Sequence, residues 1–307
     1  GTDTYVFSSA NVVEQAGAST TTGAVINLGS TALTSSAVFT AMANDYLSGS
    51  QTEVASNTST YLFNGESSTN ASIVDTLSGI ENVTGSNLAD YIVGSATANT
   101  IKGGLGVDII TTGTGADTVV LSSGLTVDSV TDFTIAAGLE RDTIAIDLSD
   151  VNAAAGITTG ETDTLITFNT AAAGPVDTLS TTTVTVATIA NDTSNAASVN
   201  LANVILLNGG ATTFANVGAT VDAFESSGNF TITHENDIAD DDTFIFAYEN
   251  STTGLVTIAA ASFEAADANN GAAAAIADAA LKGTDLLTLT GVTDVTTLTA
   301  DHFTFIA

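Results

Sequence analysis

The chain has 307 residues, enough for about two domains or one elongated body. Three basic residues stand against 34 acidic ones, and the net charge of −31 argues against nucleic acid or an anionic membrane as a partner. The absence of cysteine excludes disulfides and thiolate metal sites, and no apolar run reaches the roughly 18 residues that a transmembrane helix needs.

The composition nevertheless predicts a folded protein. Hydrophobic residues make up 44 % of the chain, whereas a disordered acidic segment would be poor in them. Valine, isoleucine and threonine are abundant, and these residue types favour β-strands. We therefore expect a mainly β protein, divided into a β-rich N-terminal region (1–72), a repeat region with its exit segment (73–150) and a β-rich C-terminal region (151–307).

A short unit, Asp-Thr followed by alternating apolar residues, predicts the start of a strand in several places. It occurs as DTYVF (3–7), DTVVL (117–121), DTIAI (142–146) and DTFIF (242–246), with GTDLLTL (283–289) as a looser copy.

Helical signals are scarce. Residues 35–49 begin with serine, carry apolar residues at helical spacing and end at Gly49, and residues 269–283 are rich in alanine and end with Lys282 and Gly283. These two segments predict one or two short helices.

Residues 85–120 divide into four nonapeptides, GSNLADYIV, GSATANTIK, GGLGVDIIT and TGTGADTVV. A side chain with an oxygen ligand occupies the sixth position of each, and an aliphatic residue the eighth. The sixth positions are Asp90, Asn99, Asp108 and Asp117, and the eighth are Ile92, Ile101, Ile110 and Val119. A period of nine suits half a coil of a parallel β-roll or β-helix, with about six residues of turn and three of strand.

Two such halves complete a coil, so turns 18 residues apart stack on one edge. The period therefore places Asp90 over Asp108, and Asn99 over Asp117. Stacked strands lie about 4.8 Å apart, which gathers side-chain and turn carbonyl oxygens into a cage. Calcium accepts six to eight oxygen ligands in irregular geometry, whereas magnesium demands an octahedron, so the sequence predicts calcium. A calcium-free coil, in which the same residues only cap turns, is the alternative.

GGLGVDIIT (103–111) matches the G-G-x-G-x-D-x-U-x nonapeptide, and the chain resembles the RTX family, whose β-roll binds calcium. The flanks DTLSGIENVTGS (75–86) and DSVTDFTIAAGLERDTIAI (128–146) are similar to the usual segments on either side of such arrays. The resemblance implies that calcium turns are formed by Gly103, Gly104, Gly106 and Asp108 and by Gly113, Gly115 and Asp117, with Asp90 and Asn99 in more divergent turns and Asp132 and Asp142 closing the last site. Thr112 replaces the first glycine of its turn, and Asn99 replaces an acid, so we expect about one to three ions.

Outside the repeat, ENDIADDD (235–242) is either a further calcium site or a solvated turn. Catalytic motifs are not found. His234-Glu235 lacks the second histidine of H-E-x-x-H, no G-x-S-x-G occurs, and neither lysine follows a glycine as a Walker loop requires. We expect His234 in a turn or on the surface, His302 in an edge strand, and no enzymatic activity.

The acidic, calcium-binding, β-rich profile resembles the surface-layer proteins, filaments and giant adhesins that are built on RTX modules. In these families the C-terminus is an uncleaved signal for type I export, with which LTADHFTFIA (298–307) is compatible. The N-terminal GTDTYVF is not a signal peptide, so we expect a cytoplasmic chain, a processed one, or one whose export signal lies elsewhere.

The resemblance implies a secreted structural protein that assembles with copies of itself into a cell-surface layer or filament, with a cell-surface polysaccharide as a candidate anchor. Alternatives are the C-terminal calcium-binding module of a type I secreted adhesin that binds glycans or surfaces, and the non-catalytic half of an enzyme.

Overall fold

The computed structural model describes residues 1–7, 22–34, 53–61, 73–121, 126–147, 184–190, 202–208, 214–225, 228, 230, 232–234, 243–264, 274–277 and 280–306. The chain forms two compact units, Gly1–Ile144 and Ala145–Ala307. The predicted regions do not coincide with these units, because strands from the first region pair with strands of the repeat.

The predicted mainly β fold is confirmed in the first unit. Its strands are β1 (Thr4–Val6), β2 (Thr22–Asn27), β3 (Leu33–Thr34), β4 (Glu53–Val54), β5 (Thr58–Tyr61), β6 (Ile73–Thr76), β7 (Asn82–Thr84), β8 (Ala89–Val93), β9 (Thr100–Lys102), β10 (Ile109–Thr111), β11 (Thr118–Leu121) and β12 (Asp128–Val130). A further strand, β13 (Thr143–Asp147), contains the division between the two units.

The repeat strands alternate between two parallel ladders, which confirms the predicted β-roll. β7, β9 and β11 pair side by side in one ladder, and β8, β10 and β12 in the other. Each nonapeptide thus supplies one turn and one strand, and two nonapeptides complete a coil.

The aliphatic residues of the repeat stack inside the roll. Ile92 pairs with Ile110 in one ladder, and Ile101 pairs with Val119 in the other. All four side chains are buried. A fully buried aliphatic side chain contributes about 1.5–3 kcal/mol through the hydrophobic effect, so this aliphatic stack stabilises the coil independently of any ligand.

Strands from the N-terminal region extend both ladders. β1 pairs with β7 in parallel, and β2 pairs with β8 in parallel and with β5 antiparallel. β5 in turn pairs antiparallel with β6, and β3 with β4. The sheet that contains β8 is therefore parallel within the repeat and becomes antiparallel at β5 and β6.

The second unit combines parallel and antiparallel strands with one α-helix in its described residues. Its elements are β14 (Val186–Ala190), β15 (Val204–Asn208), α1 (Val217–Phe224), β16 (Thr233–His234), β17 (Thr243–Asn250), β18 (Leu255–Phe263), β19 (Ala274–Ala275), β20 (Leu281–Leu289) and β21 (Phe303–Ile306), with 3₁₀ turns at Val295–Thr297 and Ala300–His302. β14, β15 and β17 pair in parallel, whereas β17, β18 and β20 pair antiparallel.

Helix α1 begins at a cap and packs closely on the sheet. The Asn216 side chain accepts a hydrogen bond from the Ala219 amide, 3.0 Å away, as an N-cap does. A Cβ atom on Gly283 of β20 would lie 2.5 Å from a methyl of Val217, so glycine allows the close approach of helix and strand.

The helix predicted over 269–283 is wrong for the residues that the structure describes there. Ala274–Ala275 forms a strand, and Leu281 begins β20, where it pairs with Phe263. Sheet pairing and burial of Leu281 override the helical propensity of the alanines. The helix predicted over 35–49 lies outside the described residues. In the described part of the chain, no helix has both the length and the apolar composition to cross a lipid bilayer.

The strand starts predicted from the Asp-Thr unit are confirmed in its four close copies, whereas β20 already begins at Leu281, before the looser copy. In the four close copies the strand begins at the threonine, and β20 covers the looser copy. The strands are β1, β11, β13, β17 and β20.

Candidate metal centre

The predicted stacking of Asp90 and Asp108 is confirmed on one edge of the roll. The backbone amide of Asp90 donates a hydrogen bond to Oδ1 of Asp108, 2.7 Å away. The amide of Asp108 in turn donates to Oδ1 of Asp128 at 2.9 Å. We call these three aspartates the first column; each carboxylate is held by the backbone of the coil before it.

The other edge has the same construction. The amide of Asn99 donates to Oδ1 of Asp117 at 2.7 Å, and the amide of Asp117 donates to Oδ1 of Asp142 at 3.0 Å. Asn99, Asp117 and Asp142 form the second column. The exit segment thus closes the second column with Asp142.

Asp132 contacts the same turn from another direction. Its two carboxylate oxygens accept hydrogen bonds from the amides of Thr112 and Gly113, at 2.7 and 3.0 Å. The Thr112 hydroxyl also reaches Asp132 and Asp142, at 3.0 and 3.2 Å. The structure therefore brings both predicted exit residues to the turn that begins with Thr112 in place of glycine.

The glycine positions of the motif are sterically required. Gly104 and Gly113 have φ angles of 108° and 98°, in the region that favours glycine. A Cβ atom on Gly104 would lie 1.8 Å from the Ser86 carbonyl oxygen, and one on Gly113 would lie 2.1 Å from that of Ser95. The fourth-position glycines, Gly106 and Gly115, also have positive φ. Turn carbonyls of successive coils therefore approach closely.

Gly103 has a different reason for its lack of a side chain. A Cβ atom there would lie 2.2 Å from Oδ2 of Asp108, so the glycine leaves open the space beside this carboxylate.

Two carboxylate oxygens of the columns are buried without a hydrogen-bond partner in the described part of the chain: Oδ2 of Asp108 and Oδ2 of Asp117. The two side chains are 0 % and 1 % exposed. A buried charged oxygen without a donor costs several kcal/mol unless a cation or a proton compensates it. These two atoms therefore mark the places where a cation would be bound.

Electrostatics supports the same conclusion. Burial raises the pKa of Asp90 to about 6 and that of Asp117 to about 7, from the ordinary 3.8. Burial also raises the pKa values of Asp108 and Asp128, and the neighbouring negative charges in the column raise them further. Like charges stacked in a buried column repel one another, and a divalent cation between them would relieve the repulsion.

The available donors fit calcium. In the described residues no group of three or more Asp, Glu or His side chains converges on one point, and the other oxygens at this place are the closely approaching turn carbonyls. Asp108 and Asp117 would each add a carboxylate, with Asp90, Asp128, Asp132 and Asp142 close by. An all-oxygen set of irregular geometry is typical of calcium sites.

Three contributions to the columns were missed by the sequence analysis. Asp128 follows Asp108 at a spacing of 20 residues, outside the strict period of 18. Ser86 donates its amide and its hydroxyl to Asp90, and Ala24 of β2 donates its amide to the other oxygen of the same carboxylate. The serine was visible as a departure from glycine in the motif, whereas the contact of Ala24 is a tertiary pairing without a local signal.

The two histidines lie far in sequence from these columns. His302 was predicted in an edge strand, but it ends a 3₁₀ turn, where its buried ring accepts a hydrogen bond from the Thr299 amide at 2.9 Å. The turn forms because His302 caps the backbone of Thr299. His234 lies in the short strand β16 and not in a turn, because its backbone pairs with Ala274 of β19. The acidic segment 235–242 lies outside the described residues.

The comparison with protein families agrees with the geometry. Residues 84–119 match the RTX calcium-binding nonapeptide repeat in four copies. No curated protein and no solved structure shows a significant match to the chain. The repeats bind calcium and are typical of secreted proteins. Residues 84–119 of this chain are RTX calcium-binding nonapeptide repeats.

Proposed function

We propose that this chain is a secreted, non-catalytic structural protein that folds when it binds calcium and then assembles with copies of itself into a cell-surface layer or an extracellular filament. The observation that carries the proposal is the pair of buried, unpartnered oxygens of Asp108 and Asp117 inside stacked RTX turns.

Charge makes folding depend on the cation. With a net charge of −31, the chain repels itself, and the columns concentrate that repulsion in a buried place. Calcium supplies the positive charge that the columns lack. A ligand that binds only the native state stabilises it by about 2.7 kcal/mol per site at a hundredfold excess over Kd. In a low-calcium cytoplasm the turns around Asp108 and Asp117 would lack this stabilisation, which would keep the chain only partly folded and fit for type I export.

Two features of the first unit support contact between copies. Val6 and Val74 are 62 % and 48 % exposed, on β1 and β6, each of which is the last strand of its ladder in the described part of the chain. Terminal strands with exposed apolar side chains favour pairing with another chain. A surface polysaccharide could serve as the anchor of the assembled layer.

The proposal is tested with the purified full chain, observed by negative-stain electron microscopy and size-exclusion chromatography. In EGTA we expect dispersed chains, and after addition of calcium chloride ordered sheets or filaments. Magnesium chloride at the same ionic strength serves as the control and should not induce assembly. A monomer in both calcium and EGTA would overturn the self-assembly proposal.

The same experiment separates the alternative role. A chain that stays monomeric in calcium and binds to a glycan array would support the C-terminal module of a type I secreted adhesin. Asp108→Asn/Asp117→Asn, which removes both unpartnered carboxylates, should require more calcium for either behaviour.

A further inference from the structure

The four repeat turns are of two kinds. Turns 103–108 and 112–117 have glycine at the second position, and each leaves a buried carboxylate oxygen without a partner. Turns 85–90 and 94–99 have serine there instead. We call the first pair the glycine turns and the second pair the serine turns.

Asn99 has hydrogen-bond partners at both the oxygen and the nitrogen of its side-chain amide. Its Oδ1 accepts hydrogen bonds from the Ser95 amide at 2.7 Å and from the Ser95 hydroxyl at 3.1 Å. Its Nδ2 donates to the Glu81 carbonyl at 2.7 Å. This pattern fixes the orientation of the amide, because its oxygen faces a donor and its nitrogen faces an acceptor. The side chain is 2 % exposed, so these contacts replace water.

Asp90 occupies the same place in the other serine turn, with one difference. One of its oxygens accepts from the amide and hydroxyl of Ser86, as in Asn99. The other faces the amide of Ala24, where Asn99 faces a carbonyl. A carboxylate oxygen suits a position that faces an N–H donor. The NH2 group of an amide suits a position that faces a carbonyl oxygen. The choice between acid and amide thus follows the backbone group that each side chain faces, the Ala24 amide or the Glu81 carbonyl.

We propose that Ser86, Ser95 and Asn99 take the place of calcium in the serine turns, so that these turns form without metal and provide the surface on which the glycine turns fold when calcium binds. The inference rests on the calcium binding at the glycine turns that is proposed above, and it adds that the two halves of the array differ in their need for metal.

The Nδ2 donor of Asn99 is the central part of this arrangement. It binds the Glu81 carbonyl, which is the contact that a cation beside an aspartate would make. An aspartate at position 99 would bring a carboxylate oxygen to that carbonyl, and the two oxygens would repel each other unless a cation lay between them. Asn99→Asp should therefore create a calcium site. With asparagine at position 99, this turn does not need calcium.

The first test measures amide hydrogen exchange along the full chain by mass spectrometry, in EGTA and in calcium chloride. We expect residues 85–99 to be protected in both conditions and residues 103–117 to be protected only in calcium. Protection of 85–99 that requires calcium to the same degree as 103–117 would overturn the inference. No calcium effect on either segment would instead contradict the proposed function.

The second test counts calcium ions by native mass spectrometry and isothermal titration calorimetry. Asn99→Asp should bind one ion more than the wild type and should melt lower in EGTA. Asn82→Asp is the matched control, since it adds the same charge in the neighbouring coil, where the side chain of Asn82 makes long hydrogen bonds of 3.3 and 3.4 Å. The control should bind the wild-type number of ions. Equal numbers of ions in Asn99→Asp and wild type would overturn the inference, and the exchange experiment decides it if the variant does not fold.

Discussion

The two compact units of this chain bury different kinds of side chain. The first buries carboxylates in two columns beside a narrow stack of aliphatic residues. The second buries a cluster of aromatic rings, in which Phe224 lies 5.7 Å from Phe244 and 5.2 Å from Phe246 between ring centroids. An apolar core is stable without a ligand, whereas a buried column of like charges is not. The first unit should therefore depend on calcium, and the second should not.

Removal of calcium should give the largest difference between the units. With two sites at a hundredfold excess of calcium over Kd, EGTA should cost the first unit about 5 kcal/mol. For a unit of this size that corresponds to a fall in Tm of roughly 10–20 °C. Hydrogen exchange resolved along the chain, measured in calcium and in EGTA, checks this. Equal loss of protection in residues 243–289 would mean that the second unit depends on calcium as much as the first.

Loss of an aromatic ring should affect the second unit alone. Phe224→Ala removes a fully buried side chain at the centre of the aromatic cluster and should lower the free energy of unfolding of that unit by about 3–5 kcal/mol. The loss should be the same in calcium and in EGTA, as measured by thermal melting in both. A loss that disappears in EGTA would show that the second unit also depends on calcium.

A single isosteric change in the first unit should act in opposite directions in the two conditions. Asp117→Asn keeps the oxygen that accepts from the Asn99 amide but removes the unpartnered charge. In calcium it should lose one ion and up to about 2.7 kcal/mol. In EGTA it should gain roughly 1–3 kcal/mol, because a buried negative charge without a partner becomes a neutral amide.

The control for this variant is Asp301→Asn, which removes an equal charge at an exposed position. It should leave the number of bound ions unchanged, and it should not have opposite effects on stability in calcium and in EGTA. Destabilisation of Asp117→Asn in both calcium and EGTA would mean that Asp117 acts as an ordinary cap.

The pH dependence in EGTA should follow the titration of the buried aspartates. Burial raises the pKa of Asp90 to about 6 and that of Asp117 to about 7 in the folded chain, from 3.8. The folded state then binds protons that the unfolded state has lost, so the stabilisation is complete below about pH 4 and decreases as the pH rises through about 6 to 7. The Tm in EGTA should therefore fall between about pH 5 and pH 8.

In calcium this slope should flatten or reverse, since protons compete with the metal for the same oxygens. Asp108→Asn/Asp117→Asn should reduce the slope in EGTA, and an unchanged slope would assign the effect to the general surface charge.

The repeat was predictable because its geometry is set by a period. Ile92 and Ile101 return nine residues apart, and a roll built from half coils is the arrangement that buries both of them. The same period gave the stacking of Asp90 on Asp108. The threonine that starts β11, β13 and β17 was also a local signal, since it follows a turn-forming aspartate.

The remaining features depend on contacts that are distant in sequence. Ala24 reaches Asp90 across 66 residues, and Asp128 joins its column at an irregular spacing of 20, so no period reveals them. The alanines near 274 carry a helical propensity of their own, but pairing between β19 and β16 places them in a sheet. Helix α1 was missed because Gly218 and the β-branched Thr220 and Val221 weaken its helical propensity, and only the capping Asn216 indicates its start.

Calcium should occupy the space beside the unpartnered oxygens of Asp108 and Asp117. The decisive experiment is anomalous diffraction from crystals grown in calcium chloride. We expect an anomalous peak about 2.3–2.6 Å from Oδ2 of each residue, with turn carbonyls completing the coordination. Ordered turns with no peak beside either oxygen would show that calcium does not bind there.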